Sequence, residues 1–275
     1  MKRIACFLFA ASLLAAFGSP VDAGPLRDDC GELIQACALE PQLIVPAAPT
    51  KSIDRESFWS AIKSMVQRRE KFEHDGVKYY LGRPLLSESA KQGTEAIVDE
   101  WERLGGSDNR QLAYLLGTVY RETVSRMTPV REAFCDSTDC VVAALNKYML
   151  KHPDRVKSNY AIANSCGRSY YGRGYSQLTG HQRYKCTGEN LGWGDQLVKD
   201  PDLALEPARA AAILVQGARR GLFKRGQTLD RYFTATDADW INARKVVNPG
   251  SMDHAPITAG YAKLFFKAMG SSDSP

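Results

Sequence analysis

The stretch Leu112–Glu122, LAYLLGTVYRE, decides the fold class, because its apolar residues recur at the spacing of an α-helix. One face of that helix carries Leu112, Leu115, Leu116 and Val119. Glu122 lies three residues beyond Val119 and seven beyond Leu115, so the phase turns its carboxyl toward the core side at the helix's C-terminal end. Burial and the negative end of the helix dipole both disfavour an ionised carboxylate, which makes Glu122 a candidate general acid. A glutamate that only pairs with Arg121 or Arg126 is the alternative.

Helical periodicity continues on both sides of this stretch, whereas alternating strand-like runs are nearly absent. The composition is uniform from Ser52 to about Met269, which predicts one mainly α catalytic domain over residues 52–270 with long functional loops. The first predicted helix follows an N-cap at Asp54 and buries Phe58, Ile62, Met65 and Val66, and the second spans Thr94–Leu104 and buries Ile97, Val98 and Trp101. The third is the stretch above, capped by Ser107 or Asp108. Three more are predicted from Pro207 to about Gly221, over Ala235–Val247 and over Ile257–Met269.

The first residues predict an exported protein. Lys2 and Arg3 precede the apolar run Ile4–Phe17, and small residues at Val21-Asp-Ala23 suit a signal peptidase. A run of about 14 residues is shorter than the roughly 20 that span a membrane, so a cleaved signal peptide over 1–23 is favoured over a stable membrane anchor. Residues 24–51 are interpreted as a cysteine-containing segment and linker that ends at Pro46-Ala-Ala-Pro-Thr50, and residues 271–275 as a frayed tail. The predicted location is extracellular or periplasmic.

The cysteines predict disulfides rather than a metal site. The sequence has seven, of which Cys6 leaves with the signal peptide and six remain: Cys30, Cys37, Cys135, Cys140, Cys166 and Cys186. An even number in an exported chain predicts up to three disulfides, and short separations favour Cys30–Cys37, Cys135–Cys140 and Cys166–Cys186. There is no CxxC, no HxxxH and no HxH, so we expect no metal.

The net charge limits the class of partner. Removal of residues 1–23 takes away Lys2, Arg3 and Asp22, which lowers the formal charge from +5 to +4. This mildly basic balance suits an anionic wall polymer. The basic residues are scattered, and no tract rich in lysine or arginine indicates nucleic-acid binding.

A second segment, Ser169–Gly180 (SYYGRGYSQLTG), has a composition that is poor for a core. Its glycines permit tight backbone, and its tyrosines offer flat faces on which sugar rings stack. Gln177 and Thr179 are two residues apart, so in extended chain both side chains would face a cleft. The alternative is a glycine-rich turn that serves stability only. It is not a phosphate loop, because GxxxxGK[ST] is absent.

A second carboxylate is needed if Glu122 belongs to an inverting glycosidase, at about 6.5–9.5 Å from the acid. Glu132 follows ten residues later, past a break at Pro129. Asp136 and Asp139 are rivals, and any of the three could be a solvated loop charge.

Together these residues resemble glycoside hydrolase family 19, which includes plant and bacterial chitinases and many phage endolysins. The similarity runs in order from about Leu86 to Met269. Tyr120-Arg-Glu-Thr123 resembles the family's His-Glu-Thr motif, and Met127-Thr-Pro-Val-Arg-Glu132 resembles the loop that bears the second glutamate. Tyr171-Gly-Arg-Gly-Tyr-Ser-Gln-Leu-Thr-Gly180 resembles the (F/Y)YGRG-x-x-QL(S/T) signature. Asp200-Pro-Asp-Leu-Ala204 resembles N-P-D-L-A, and Val246-Val-Asn-Pro-Gly250 resembles I-N-G-G.

The resemblance implies a lysozyme-like, two-lobed helical fold with a substrate cleft. It implies inverting hydrolysis of a β-1,4 bond beside an N-acetylhexosamine in chitin or peptidoglycan, by a monomer without metal or cofactor. The implied roles are Glu122 as acid, Glu132 as base and Thr179 as the residue that positions water, with substrate contacts from Tyr171, Arg173, Gln177 and Asn248.

The sequence departs from the family pattern at several positions. Arg121 replaces the histidine before the acid, Val124 and Ser125 replace glycines, and Pro249 replaces another. The family's arginine downstream of Asn248 has no clear match, with Thr258 near that place. Neighbouring residues on a helix point about 100° apart, so Arg121 need not face the cleft. Two alternatives stay open: a non-hydrolytic sugar-binding relative, and a lytic transglycosylase with a single catalytic glutamate.

Overall fold

The structure is a computed structural model that describes residues 35–37, 52–154, 158–250 and 252–271. Contacts divide the chain into Met1–Gln35, of which Gln35 alone is described, and Ala36–Pro275, whose architecture follows. The predicted signal peptide, Cys30, the linker Pro46–Thr50 and all of the tail except Ser271 lie outside the described residues.

The described part of the chain is mainly α-helical, as predicted. Its strands form two small antiparallel sheets, and several short 3-10 turns connect the elements. The helices are α1 (Arg55–Arg68), α2 (Glu88–Arg103), α3 (Asn109–Glu122), α4 (Thr138–Lys151), α5 (His181–Asn190), α6 (Gln196–Lys199), α7 (Pro207–Arg220), α8 (Arg244–Val247) and α9 (Ala255–Ala268), and the strands are β1 (Lys71–His74), β2 (Val77–Tyr80), β3 (Val130–Arg131) and β4 (Arg173–Gly174). No helix in these ranges is long and apolar enough to cross a bilayer.

Helix α3 forms the centre of the core. Its residues from 111 to 120 are all buried, so the helix is enclosed on every side and not only along the predicted stripe. It packs mainly on α9, where the backbones approach so closely that a Cβ at Gly117 would lie 2.5 Å from the Ala262 nitrogen. The N-cap is Asp108, one of the two predicted, whose carboxylate accepts from the Arg110 N–H.

Local signals placed several other helices correctly. The Asp54 carboxylate accepts from the Ser57 N–H at the start of α1, and Phe58, Ile62, Met65 and Val66 are buried as predicted. Pro207 opens α7, and Gly221 ends it in the left-handed conformation with φ of 75°. Helix α9 lies within two residues of its predicted bounds. Helix α2 begins earlier than predicted, because the Ser87 hydroxyl caps it by accepting from the Ala90 N–H.

The predicted helix over Ala235–Val247 is wrong for most of its length. Only α8 is helical there, and Phe233 pairs with Ala238 in an isolated β-bridge. The Thr234 hydroxyl accepts from the Asp237 N–H, and the Asp239 carboxylate accepts from the Asn242 N–H. Such side chain–backbone bonds stabilise turns at the expense of helix. The prediction also missed α4, α5 and the β1–β2 hairpin.

Two of the three favoured disulfide pairings are wrong. Cys135–Cys140 is present, but Cys37 is bonded to Cys186, and Cys166 is disulfide-bonded elsewhere. Cys186 lies on α5 one turn after Gln182, whose amide donates to the Cys186 sulfur at 3.0 Å and contacts the Cys37 sulfur at 3.7 Å. The helix therefore directs Cys186 toward the segment of Cys37, and closeness in sequence does not decide the pairing.

We expect peptide mapping under non-reducing conditions to recover Cys37 joined to Cys186 and Cys135 joined to Cys140. Proteolysis of the mature protein followed by mass spectrometry would show each pair as one species that separates after reduction. A peptide joining Cys30 to Cys37 would contradict the observed arrangement.

Candidate active site

Glu122 is the last residue of α3 and the point at which this buried helix reaches a pocket. Its side chain is 18% exposed and borders a pocket of about 510 Å³. The rings of Tyr79, Phe134 and Tyr261 line the same pocket. A carboxylate therefore stands at the edge of a partly aromatic cavity.

Two arginines contact the Glu122 carboxylate. Arg244 Nη2 lies 2.7 Å from Oε1, and Arg121 Nη1 lies 3.1 Å from the same oxygen. Two positive charges therefore lie beside one oxygen of the Glu122 carboxylate, and the pairing with Arg121 is the one that the sequence offered as an alternative. Although neighbouring helix positions point about 100° apart, the long side chain of Arg121 does reach the carboxylate and lines the pocket. Burial lowers the pKa of Arg121, helped by Arg244 and opposed by Glu122.

Arg244 is a candidate site residue that the sequence did not indicate. Its side chain is 1% exposed, and its Nε and Nη1 have no hydrogen-bond partner within the described ranges. The search for such an arginine looked downstream of Asn248, whereas Arg244 lies four residues upstream, in α8. A charged residue between the buried Ala243 and Val246 was the available signal.

The backbone after Glu122 adopts conformations that favour glycine. Val124 and Ser125 have φ of 49° and 64°, and Met127 has φ of 53°, in the left-handed region that favours glycine. The Thr123 hydroxyl holds this turn by donating to the Val119 carbonyl and accepting from the Met127 N–H. Val124 and Ser125 thus keep the backbone that glycine would adopt, at a cost of about 1–3 kcal/mol for each strained residue.

Glu132 follows β3, which pairs with β4 of the glycine-rich segment in the register Arg131 to Arg173. Its N–H donates to the Gly172 carbonyl at 2.8 Å, and its Oε2 accepts from the Gly172 N–H at 2.9 Å. Its Oε1 accepts from the Tyr160 hydroxyl. Burial, together with the Glu132 acceptor, raises the pKa of Tyr160, so the phenol stays a donor. The structure thus brings the second predicted glutamate to the signature segment.

The two rival carboxylates are exposed. Asp136 and Asp139 follow Glu132 along the loop, and Asp139 lies in the first turn of α4, where a negative charge suits the helix dipole. No hydrogen bond ties either carboxylate to the signature segment, so Glu132 is the better candidate of the three.

Gln177 and Thr179 lie against the same glycine, although not in the extended chain that was expected. Gln177 has φ of 53° in a tight turn between Arg173 and Leu178. A Cβ at Gly172 would lie 2.7 Å from Gln177 Oε1 and 3.2 Å from Thr179 Oγ1. Because the Gly172 N–H also donates to Glu132, three of the predicted site residues surround one peptide unit.

Tyr171 and Arg173 are buried, which contradicts their assignment as substrate contacts. Tyr171 is 0% exposed and Arg173 is 3% exposed, with the Arg173 guanidinium 3.6 Å above the Tyr171 ring. Arg173 Nε lies 2.7 Å from Asp202, which Arg131 also contacts. Burial alone would raise the pKa of Asp202, but hydrogen bonds and charge from these two arginines outweigh it and lower the pKa. The pair therefore stabilises the segment.

The other tyrosines of the segment present no free ring face either. Tyr170 and Tyr175 are buried, and the Tyr175 hydroxyl donates to the Gly93 carbonyl. Asn248 is half-buried, ends α8 and does not line the pocket around Glu122. Its role as a sugar ligand stays a prediction.

No cluster of three or more metal-ligating side chains occurs among the residues in the described ranges. What the fold and site define is a mainly helical protein with a carboxylate at a pocket and a second carboxylate fixed on a glycine-rich turn.

Comparison with known proteins gives distant structural likenesses. No protein-family model matches the sequence, and no curated protein matches it. The chain is similar to the crystal structure of chitinase C from Streptomyces griseus HUT6037, with 15% identity and a TM-score of 0.44 over 83% of this chain and 98% of that chain. It is also similar to a mutant of chitinase C, with 17% identity and a TM-score of 0.39 over 78% of this chain and 93% of that chain. Neither likeness says anything of activity in this chain.

Proposed function

We propose that the chain is a secreted glycoside hydrolase that cleaves β-1,4 bonds of an N-acetylhexosamine polymer, chitin or peptidoglycan, with inversion. One observation carries this proposal: the buried central helix ends in a half-buried glutamate at a pocket whose rim includes Phe134, on the loop that also carries Glu132. The order of motifs along the sequence supports the same function. Aromatic rings around a pocket suit the apolar faces of sugars.

Glu122 is the proposed general acid. Both guanidinium groups contact Oε1, which leaves Oε2 to carry the proton that the leaving oxygen receives. Arg244 is buried and keeps the carboxyl in place, whereas Arg121 lines the pocket and can turn toward an incoming sugar. Movement of Arg121 onto the sugar would open the Glu122 carboxyl to the leaving oxygen, which a general acid must reach within hydrogen-bond distance.

Glu132 is the proposed base. The Tyr160 hydroxyl and the Gly172 N–H donate to its two oxygens and hold the carboxylate in place, and a base needs a fixed position to accept a proton from water. Thr179 Oγ1 lies beside the same Gly172, 3.2 Å from where a Cβ would stand, and can hold that water. The water oxygen then bonds to the anomeric carbon while Glu132 takes a proton from the water. The bond between the anomeric carbon and the leaving oxygen breaks in the same step, and the leaving oxygen takes the proton of Glu122.

The test is incubation of the purified mature protein with chitin oligomers and with peptidoglycan sacculi, followed by mass spectrometry and NMR of the products. For the wild type, we expect fragments that have gained one water and that are first formed as the α-anomer. For Glu132→Gln, we expect most of this activity to be lost, because the attacking water is no longer deprotonated. Wild-type protein that leaves both polymers intact would contradict the proposal.

Two outcomes would assign a different function. Anhydro-muramyl products with indifference to Glu132→Gln would identify a lytic transglycosylase. Saturable binding of oligosaccharide without any cleavage would identify a non-hydrolytic sugar-binding protein.

A further inference from the structure

Two tyrosines outside the pocket are unusually exposed for their size. Tyr148 on α4 and Tyr160 in the following loop are each 39% exposed, and Leu150 and Ile162 nearby in the chain are more exposed still. Exposed aromatic groups that lie together mark binding surfaces more often than chance. Whether these two rings could form one binding surface depends on where they lie relative to each other and to Glu132.

The loop of Tyr160 lies along one face of α4. The Asn159 amide donates to the Val142 carbonyl and to Asn146 on that helix. Ala161 packs in a small core with Val141 and Leu145. The loop thus follows the helix on both sides of Tyr160.

Tyr148 lies on the same face, one turn further. It is three residues beyond Leu145 and seven beyond Val141, the spacing of one helix stripe. Tyr148 is also near enough to Tyr160 to contribute to the raised pKa of that phenol, after burial and Glu132. The two exposed rings therefore lie on the same side of α4.

This surface begins at the proposed base. The Tyr160 hydroxyl donates to Glu132 Oε1, so the orientation of its ring is coupled to the carboxylate. A polymer whose scissile bond lies at Glu132 extends beyond it in both directions, and Tyr160 is an exposed ring in direct contact with the carboxylate.

We propose that Tyr160 and Tyr148 form a sugar-binding subsite that continues from Glu132 and stacks pyranose rings of an N-acetylhexosamine polymer. This inference rests on the proposed function for the identity of the polymer. Two phenol rings offer apolar faces to the C–H side of a sugar and hydroxyls to its edge, a combination that suits carbohydrate. Tyr160 has a second role as a positioning residue, because its hydroxyl holds Glu132 for proton transfer.

The first test is Tyr148→Ala, measured by calorimetric titration with chito-oligosaccharides and peptidoglycan fragments of two to six sugars. For wild type, affinity should rise with chain length. In the variant, affinity for the longest oligosaccharide should fall about tenfold, the value of one well-formed ring contact. The matched control is Tyr80→Ala, which removes a tyrosine of equal exposure from β2 and should bind as wild type does.

The second test separates stacking from positioning at Tyr160. Tyr160→Phe keeps the ring and loses the donor to Glu132, so KM and affinity should stay while kcat falls several-fold. Tyr160→Ala loses both, so KM should rise and kcat should fall. Thermal melts of each variant establish that the protein is folded.

Each remaining outcome has a definite meaning. Binding by Tyr148→Ala that equals wild-type binding would overturn the subsite, even if the wild type cleaves polymer. If the wild type cleaves neither polymer but binds oligosaccharide, and Tyr148→Ala binds it more weakly, the hydrolase proposal is rejected and the subsite is kept. A concentration-dependent dimer that Tyr148→Ala dissolves in sedimentation experiments would assign the surface to a second copy of the chain and overturn the subsite.

Discussion

Glu122→Gln is expected to lower kcat/KM for chitin oligomers or peptidoglycan by a factor of about 10²–10⁴, the usual contribution of a general acid. Glutamine has nearly the same shape and still accepts from Arg244 through its oxygen, but it has no carboxyl proton to give to the leaving oxygen. The measurement is the initial rate of product formation at several substrate concentrations. A fall in kcat with little change in KM would show that the lost interaction acts in the transition state.

The control for this substitution is Glu56→Gln, the same change at an exposed position in the first turn of α1, which should leave the rate unchanged. The melting temperature should fall in Glu122→Gln, because the buried guanidinium of Arg244 loses its charged partner. The rate is therefore compared at a temperature where both variants are folded. Activity close to that of wild type would place the acid at another residue.

Gly93→Ala is expected to lower the free energy of unfolding by about 3 kcal/mol or more, although alanine is the better helix former by roughly 1 kcal/mol. A Cβ at this position of α2 would lie 1.8 Å from the Met127 carbonyl oxygen and 2.9 Å from its carbon. Both atoms belong to the backbone, so rotation of a side chain cannot relieve the overlap. Urea denaturation followed by circular dichroism gives the free energy.

This substitution also connects stability to the site. Met127 lies between Glu122 and Glu132, and the Gly93 carbonyl accepts from Tyr175 of the signature segment. Displacement of this backbone should reduce activity even where the variant is folded. Gly250→Ala is the control, because no atom lies within 4 Å of its added carbon. Equal stability of the two variants would mean that α2 and the loop do not approach as closely as the structure has them.

Several features could be predicted from residues near one another in the chain. The Asp54 cap, the Pro207 start and the Gly221 end of a helix each depend on hydrogen bonds or dihedral preferences within one turn. The buried phase of α3 follows from its own periodicity. Local competition also explains the failure over Ala235–Val247, where the Thr234 and Asp239 side chains bond to the backbone of turns.

The candidate site was predicted in part. Glu122 and Glu132 were chosen from phase and motif, and Arg121 was named as a possible partner of Glu122. The contacts of Arg244 with Glu122 and of Tyr160 with Glu132 were indicated by no spacing. Tyr171 and Arg173 were misassigned because a composition rich in tyrosine and glycine does not say which way a ring faces. Arg244 was missed because it reaches Glu122 from 122 residues away.

The sequence by itself determined the helical class, the ends of several helices and the two segments that carry the candidate chemistry, because periodicity, caps and motifs are properties of neighbouring residues. The tertiary structure alone decided that Cys37 bonds to Cys186, that Gly172 joins Glu132 to Gln177 and Thr179, and that Arg121 and Arg244 both contact Glu122. These contacts depend on which surfaces meet when the core closes around α3, and that depends on the packing of the whole domain.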